Sequence, residues 1–223
     1  MKQVDSTLEQ GVSLLQAREY IEAAKIFSKL VELDDKNALA WFYLGVSCRF
    51  SGDWLTARAA FYKTLKLVPN HDEAHFELAL LLSLCDDRVG AMIEIEKAIR
   101  IRPQGVYFKF MTNLFVDVGQ IHTAIGLCRI AKEHFPEDLD FSEQIANMAE
   151  IQNDLETAFN ERSELASKRA NVGDHVKLGL YCWAKNQPVE SKKHFVKALE
   201  IDPRCVEAMK NLSFIVHHKT ARS

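Results

Sequence analysis

Apolar residues recur along this chain at intervals of three, four and seven positions, which is the pattern of amphipathic helices. Trp41, Leu44 and Cys48 show the pattern clearly, because these intervals place them on one helical face. We therefore expect a first helix from about Ala38 to Ser51.

A second helix is expected directly after the first. Gly52 can adopt the left-handed backbone conformation that ends a helix. Asp53 is a residue type that caps the start of the next helix. This second helix carries Ala57 and Phe61 on its inner face and ends before Pro69. Proline ends a helix because it lacks an amide donor and restricts the residue before it.

The same pair of helices recurs along the chain. Small residues stand 33 or 34 positions apart in two parallel series, which are Gly11, Gly45, Ala79, Thr112, Ala146 and Gly179, and Ala23, Ala57, Ala91, Ala124, Ala158 and Ser191. Small residues let antiparallel helices approach closely where they cross. The turn position of the successive units holds Arg18, Gly52, Asp86, Gly119, Asn153 and Asn186. A period near 34 predicts stacked helix pairs, since one pair is too small to bury its apolar face alone.

This pattern resembles the tetratricopeptide repeat family. The positions that carry the resemblance in the second unit are Trp41, Leu44, Gly45, Cys48, Ala57, Phe61 and Pro69. The resemblance places six repeats, at residues 4–37, 38–71, 72–104, 105–138, 139–171 and 172–205. It also places a cap helix at residues 206–218, with Met209, Leu212 and Val216 pointing inward. It implies one domain over residues 1–223, an all-α, right-handed α-solenoid of antiparallel helix pairs whose first helices line a concave groove.

Composition and charge are consistent with this fold class. Of 223 residues, 48% are hydrophobic and 26% are charged, which is typical of a folded globular chain. A formal net charge of −3 gives no general attraction to nucleic acid. We find no secretory signal and no apolar run long enough to span a membrane. The five cysteines form no CxxC pair, and four of them fall on helix positions that the repeat makes apolar, so we expect small buried hydrophobes in a reducing, cytoplasmic compartment rather than metal ligands or disulfides.

The family resemblance implies which positions of the first helices face the groove. Repeats one to three supply mainly apolar residues, which are Leu8, Val12, Leu15, Phe42, Val46, Arg49, Phe50, Phe76, Leu80 and Leu84. Repeats four and five supply polar and charged residues, which are Lys109, Asn113, Asp117, Asp140, Glu143, Asn147 and Glu150. Repeat six returns to apolar residues, which are Val176, Leu180 and Trp183.

An apolar row that faces a groove favours a protein ligand, because soluble monomers seldom expose large contiguous apolar patches. Alternatively, these side chains bury against each other in a tight superhelix. Between His134 and Leu165 there are nine acidic residues and one arginine. This excess suggests an amphipathic helix or extended peptide with basic residues facing repeat five, whereas a solvated outer face would show the same charges.

Repeat five departs from the pattern at Arg162, where four of the other repeats have phenylalanine or isoleucine and one has cysteine. One interpretation is an arginine whose stem packs while its guanidinium reaches water. The other is a soft joint before repeat six.

Two motifs resemble known sites without completing them. The stretch from His71 to His75 lacks the glutamate placement of a zinc protease. Lys109 and Asn113 occupy two positions of the carboxylate clamp of tetratricopeptide cochaperones. The remaining clamp positions hold replacements, which are Gln144, Gly173 and Lys177. We therefore expect neither a metal site nor a clamp.

The sequence thus predicts a non-enzymatic adaptor or scaffold that binds a peptide or helix in its groove. The alternative is a chaperone or cochaperone that shields an apolar segment of a client protein. We expect no cofactor, no nucleic acid and no membrane insertion, since no nucleophile–base group or phosphate loop emerges. Self-association through the end repeats stays open.

Overall fold

The computed structural model describes the backbone of residues 2–220 and the side chains of residues 6–217. All regular secondary structure in these residues is α-helical. The helices are α1 (Lys2–Gln16), α2 (Tyr20–Leu33), α3 (Ala38–Ser51), α4 (Trp54–Leu67), α5 (Asp72–Leu84), α6 (Arg88–Ile101), α7 (Gly105–Asp117), α8 (Ile121–His134), α9 (Leu139–Ile151), α10 (Leu155–Lys168), α11 (Val172–Ala184), α12 (Pro188–Ile201) and α13 (Val206–Thr220).

From α1 to α12, the odd-numbered helices are the first helices of the predicted repeats and the even-numbered helices are the second, and α13 is the predicted cap helix. Helices α3, α5, α7, α9, α11 and α13 begin at residues 38, 72, 105, 139, 172 and 206, which are the predicted repeat boundaries. The predicted all-α solenoid of helical hairpins is confirmed.

The predicted turn residues all adopt the left-handed conformation. Their φ angles are positive at Arg18, Gly52, Asp86, Gly119, Asn153 and Asn186. At the second turn, the amide of Asp53 donates to the Cys48 carbonyl at 2.9 Å, and the Asp53 carboxylate accepts from the Thr56 amide. These bonds satisfy backbone groups that a helix end leaves unpaired. A local turn therefore joins each first helix to its second helix.

The small residues of the first helices leave room for rings of the second helices. Three glycine–phenylalanine pairs share this contact, namely Gly11–Phe27, Gly45–Phe61 and Gly179–Phe195. A Cβ atom added to Gly45 would lie 2.6 Å from the Phe61 ring, which is closer than carbon atoms can approach. The repeated small residue is therefore required by packing within the hairpin.

The chain divides into two compact units, Met1–Leu114 and Phe115–Ser223, with the division inside α7. We call them the N-terminal unit and the C-terminal unit. Large buried side chains of the N-terminal unit include Phe27, Phe61 and Leu78, and those of the C-terminal unit include Leu165 and Phe195. One domain over residues 1–223 stays a prediction.

The cap helix α13 packs through a face next to the predicted one. Ala208 and Ile215 are buried and Leu212 is half-buried, whereas Met209 and Val216 are exposed. The prediction of an inward Met209 and Val216 is therefore wrong. These two residues belong to the face on which the first helix of a repeat packs its own second helix.

Candidate functional site

The first helices of the N-terminal unit lie side by side, with α1 in contact with α3 and α3 in contact with α5. Their predicted groove residues form a row of apolar side chains that are half-buried or exposed. We call this set the apolar row, which consists of Leu8, Val12, Leu15, Val46, Phe50, Phe76, Leu80 and Leu84. Phe50 and Leu84 expose 51% and 56% of their surface, so these two side chains are the most open members of the row.

Phe42 is the apolar groove candidate that the structure places in the core. It is only 7% exposed, and its ring stacks on His71 at 4.8 Å and lies 6.3 Å from the Phe61 ring. Sequence position alone does not distinguish Phe42 from its neighbours, because the contact comes from His71, which caps α5 at the far end of the same repeat. Phe42 therefore supports the hairpin and offers little surface to a ligand.

Arg49 lies within the apolar row and is already paired. Its Nε donates to Glu77 Oε2 at 2.7 Å, and its guanidinium lies 4.1 Å from the centre of the Phe50 ring. Tyr20 stacks on the same ring at 4.8 Å. Burial raises the pKa of Glu77, and the charge of Arg49 offsets part of this effect. The pair adds no net charge to the row and holds Phe50 in place.

The row continues toward α7 through aromatic contacts. Phe76 lies 4.7 Å from Tyr107 and 5.8 Å from Phe110, measured between ring centres. The Tyr107 hydroxyl donates to Asp72 at 2.8 Å, which ties α7 to the start of α5. Lys109 is half-buried and Asn113 is exposed on the same helix.

The groove positions of α9, in the C-terminal unit, have a different arrangement. A group of charged and polar side chains from α9, α10, α11 and the α10–α11 loop forms one connected set of hydrogen bonds. We call it the ion network, which consists of Glu143, Asn147, Glu150, Arg162, Arg169, Asp174, Lys177 and Tyr181.

Arg162 is the centre of the ion network. Its side chain is only 4% exposed, so the interpretation in which its guanidinium reaches water is wrong. Its Nη1 donates to Asp174 Oδ1 at 2.9 Å and its Nε donates to Glu150 Oε1 at 3.1 Å, while Nη2 bonds to Asn147. Burial favours the neutral form, but the bonds to Asp174 and Glu150 outweigh it and raise the pKa of Arg162.

Two further cations complete the network. Arg169 binds Asp174 at 3.0 Å and Glu143 at 2.9 Å. Glu150 accepts from Lys177 Nζ at 2.6 Å and from the Tyr181 hydroxyl at 2.6 Å. Burial opposes ionisation of Glu150, but these two hydrogen bonds and the charge of Arg162 outweigh burial and lower its pKa.

Glu143, Asn147 and Glu150 are therefore bonded to cations of their own unit. Of the acidic residues of repeat five, Glu143 is paired with Arg169, and Glu150 is paired with Arg162 and with Lys177 of α11. Reasoning from the sequence missed Asp174 and Tyr181 as partners. Arg162 at an apolar position of the repeat was the one signal of a buried charge.

Helix α11, the first helix of repeat six, has apolar side chains at its predicted groove positions. Leu180 is exposed, Trp183 is half-buried and contacts Phe214 of α13 edge-on at 5.6 Å, and Val176 is buried. Leu180, Trp183 and Phe214 line a cavity of about 70 Å³. Val176 therefore supports the core, and Leu180 is the more accessible residue.

The discounted motifs have structural roles. His71 caps α5 by accepting from the Ala74 amide, and His75 binds Glu94 at 2.6 Å. Within residues 6–217, no three side chains of the metal-binding types converge. Gln144 and Lys177, two of the altered clamp positions, bond to Cys128 and Glu150. None of the helices described is both long and apolar enough to cross a lipid bilayer.

Comparison with known proteins agrees with the helical repeats. The family model of the tetratricopeptide repeat matches residues 8–63. The TPR repeat-containing protein MJ1428 of Methanocaldococcus jannaschii is 21% identical over 221 residues, which cover 94% of this chain and 39% of that protein. Protein FlbA of Caulobacter vibrioides is 30% identical over 82 residues, which cover 36% of this chain and 14% of FlbA. The chain thus spans well under half the length of these two curated relatives.

Solved structures share the fold at low identity. PilF of Pseudomonas aeruginosa superposes with a TM-score of 0.65 at 13% identity, covering 93% of this chain and 95% of PilF. YrrB, described as a TPR protein with an unusual peptide-binding site, superposes with a TM-score of 0.62 at 18% identity, covering 84% of this chain and 97% of YrrB.

Proposed function

Because this chain is a tetratricopeptide repeat protein, we propose that it is an interaction scaffold that binds a peptide or an amphipathic helix along the apolar row. The exposure of Phe50 and Leu84 carries this proposal, since more than half of each side chain lies open beside half-buried apolar neighbours. Burying such side chains on binding stabilises a complex by about 25 cal/mol per Å² of apolar area. YrrB, which shares the fold, is described as having a peptide-binding site, and this supports peptide binding as the function of this chain.

The chemistry of the row defines the ligand. Arg49 and Glu77 neutralise each other, so the anchoring contacts are apolar and the ligand brings large apolar side chains to the N-terminal unit. A basic ligand residue that sought Glu150 would compete with Lys177, whose side chain is already bonded there. The proposal therefore places affinity in the apolar row and gives repeat five a secondary role.

The proposed compartment is the cytoplasm, where thiols stay reduced. All five cysteines have free thiols, and burial raises the pKa of Cys48 to about 11, with the charge of Asp53 acting in the same direction. A thiol with so high a pKa is a poor nucleophile at neutral pH. Cys48, Cys128 and Cys182 are buried, as expected of structural thiols, whereas Cys205 is half-buried and the expectation of burial is wrong for Cys85, which is exposed.

A selection from a displayed library of random peptides, performed on the full chain, tests the proposal. The selected peptides are then titrated by fluorescence anisotropy against the Phe50→Glu/Leu84→Glu variant. We expect affinity to fall by at least about tenfold, because a buried contact with each apolar side chain is replaced by a charge that must be desolvated.

The matched control is Leu55→Glu/Val89→Glu, which adds the same charges at exposed apolar positions of two second helices, α4 and α6. This control should change affinity by less than about twofold. Binding at the row would be contradicted if both variants bound the peptides as tightly as the wild type, or if both lost the same affinity. Selected peptides that share only general hydrophobicity, without fixed spacing, would favour the chaperone alternative.

A further inference from the structure

Two histidines of repeat six face each other between its two helices. His175 is the fourth residue of α11 and His194 is the seventh residue of α12. Their Nδ1 atoms are 3.4 Å apart and their ring centres are 5.7 Å apart, so the two nitrogens point at one another. Both rings are half-buried, which leaves the pair accessible to water and to ions.

The equivalent positions of repeat three show a histidine whose nitrogens are both occupied. His75 is the fourth residue of α5, and its Nδ1 bonds to Glu94, the seventh residue of α6, at 2.6 Å. Its Nε2 bonds to the Pro69 carbonyl oxygen at 2.9 Å. In repeat six, His194 replaces this carboxylate, and the Nε2 atoms of His175 and His194 have no hydrogen-bond partner among the residues that the structure describes.

The contact between the two rings leaves nitrogen lone pairs available. Two neutral imidazoles can form a single N–H···N hydrogen bond, and 3.4 Å is longer than the usual range of about 2.7–3.2 Å for an N–H donor. Burial lowers the pKa of His175 and of His194, so both rings are neutral at pH 7. Neutral imidazole is the form that binds metal ions.

The separation of the two Nδ1 atoms matches that of two ligands on one metal ion. Nitrogens bound at about 2.0–2.1 Å to a tetrahedral zinc ion lie about 3.3–3.4 Å from each other. To bind such an ion, each ring has to tilt about its Nδ1 atom until both nitrogens point to a common site beside the line between them. The ring that carried its proton on Nδ1 then carries it on Nε2, which the protein does not enclose.

The surroundings of the pair have room for a partly hydrated cation. His175 lines a cavity of about 400 Å³ together with Lys197 and Glu200. The neighbouring cations are balanced, because Lys197 is paired with Glu200 at 3.2 Å and Lys193 is paired with Glu190 at 2.8 Å. Water or the exposed carboxylate of Glu200 can therefore complete the coordination of an ion that the two nitrogens hold.

We propose that His175 and His194 together bind one divalent transition-metal ion, with zinc as the ion that fits their separation. Imidazole nitrogen favours zinc, copper and nickel, whereas magnesium and calcium prefer oxygen ligands. With two protein ligands and solvent in the remaining positions, the site exchanges its ion readily. The bound ion connects α11 to α12, and it stabilises the hairpin of repeat six more as the concentration of free metal rises.

Calorimetric titration of zinc chloride into the full chain, treated beforehand with a chelator, tests the proposal. We expect one site that excess magnesium does not block. His175→Gln and His194→Gln should each weaken binding at least about tenfold, because each removes one of the two ligands. The matched control is His217→Gln/His218→Gln, which removes two histidines that are adjacent in sequence and should leave the site intact.

A second measurement does not depend on how well the single variants fold. With one equivalent of copper(II) added to the control variant, the electron paramagnetic resonance spectrum should show coupling to two imidazole nitrogens. The proposal is overturned if zinc does not bind, or if either single variant, shown by circular dichroism to be folded, binds zinc as well as the wild type does. It is also overturned if the control variant loses the site, or if fewer than two imidazole nitrogens couple to copper. None of these results depends on the apolar row, so this proposal and the proposed function can fail independently.

Discussion

The fifth and ninth positions of a repeat carry apolar side chains on the first helix of the N-terminal unit, where they are Leu8 and Val12 of α1. The same positions of α9 in the C-terminal unit carry Glu143 and Asn147, which are bonded to arginines of the α10–α11 segment. Equivalent positions of the repeat thus belong to a half-buried apolar row at α1 and to an internal ion network at α9.

This difference teaches that a groove position is not in itself a ligand-binding position. Apolar side chains of the row form no hydrogen bonds or ion pairs with neighbouring helices, and they remain partly exposed to water. Carboxylates at the same positions recruit cations from the neighbouring helices, since an unpaired charge at a half-buried site is costly. A charged groove position therefore has to be checked for internal partners before it is assigned to a ligand.

The largest expected effect is that of Arg162→Ala in the ion network. The substitution leaves Asp174, which is 1% exposed, with Arg169 as its remaining cation, and should lower the unfolding free energy of the C-terminal unit by about 3–5 kcal/mol. Amide hydrogen exchange of α9–α11, measured against α3–α5 in the same molecule, gives the change. Arg162→Leu combined with Asp174→Leu should recover most of the loss, and a loss below about 1 kcal/mol for Arg162→Ala would contradict a network that stabilises this unit.

A smaller effect is expected from Arg49→Met in the N-terminal unit. Glu77 would lose its cation, but water reaches both side chains more easily than it reaches Arg162, so the cost should be about 1–2 kcal/mol. The measurement is amide exchange of α3–α5, with α9–α11 as the internal reference. If this variant destabilised its unit more than Arg162→Ala does, the contrast between the two units would be reversed.

Acidification should destabilise the C-terminal unit at pH values higher than those at which carboxylates become protonated. His175 and His194, on α11 and α12, face each other with their Nδ1 atoms 3.4 Å apart. Burial lowers the pKa of both, and the positive charge of Lys197 acts in the same direction on His175. A lowered pKa means that the unfolded chain binds protons more readily, so stability is retained above the ordinary value of 6.5 and falls as the pH drops below it.

Hydrogen exchange of α11 and α12 between about pH 7 and 5.5 measures this loss, after correction for the intrinsic exchange rate. The other charged groups that act on the pair are Asp174, Glu190, Lys193 and Glu200. The His175→Gln/His194→Gln variant should remove the pH dependence, and His122→Gln, at an exposed site on α8, should keep it. A pH-independent wild type would contradict the expectation.

The smallest expected effect is a difference in amide exchange between α10 and α4, and it tests the soft joint considered for repeat five. The bonds of Arg162 tie α10 to α9 and to α11, so the amides of α10 should be about as protected from exchange as those of α4. Markedly faster exchange over residues 155–168, without a change in the neighbouring helices, would restore the joint hypothesis.

Local features of the chain were predictable because they depend on residues close together in sequence. Gly52 ends α3 and Asp53 caps α4, where the 34-residue pattern places them. Gly45 is small because the Phe61 ring of the same hairpin occupies its side, and that contact also follows from the repeat. Helix boundaries, turns and hairpin crossings could thus be predicted without knowledge of distant contacts.

The pairing of charges could not be predicted in this way. Arg162 finds its partners on two other helices, and two opposite charges far apart in sequence carry no signal of their mutual distance. For the same reason, the burial of Phe42 beneath His71 and the exposure of Met209 on α13 depend on which neighbour is present. Periodicity and local backbone chemistry thus define the stack of hairpins, while three-dimensional packing selects which groove positions stay open, since burial and ion pairing depend on distances in space.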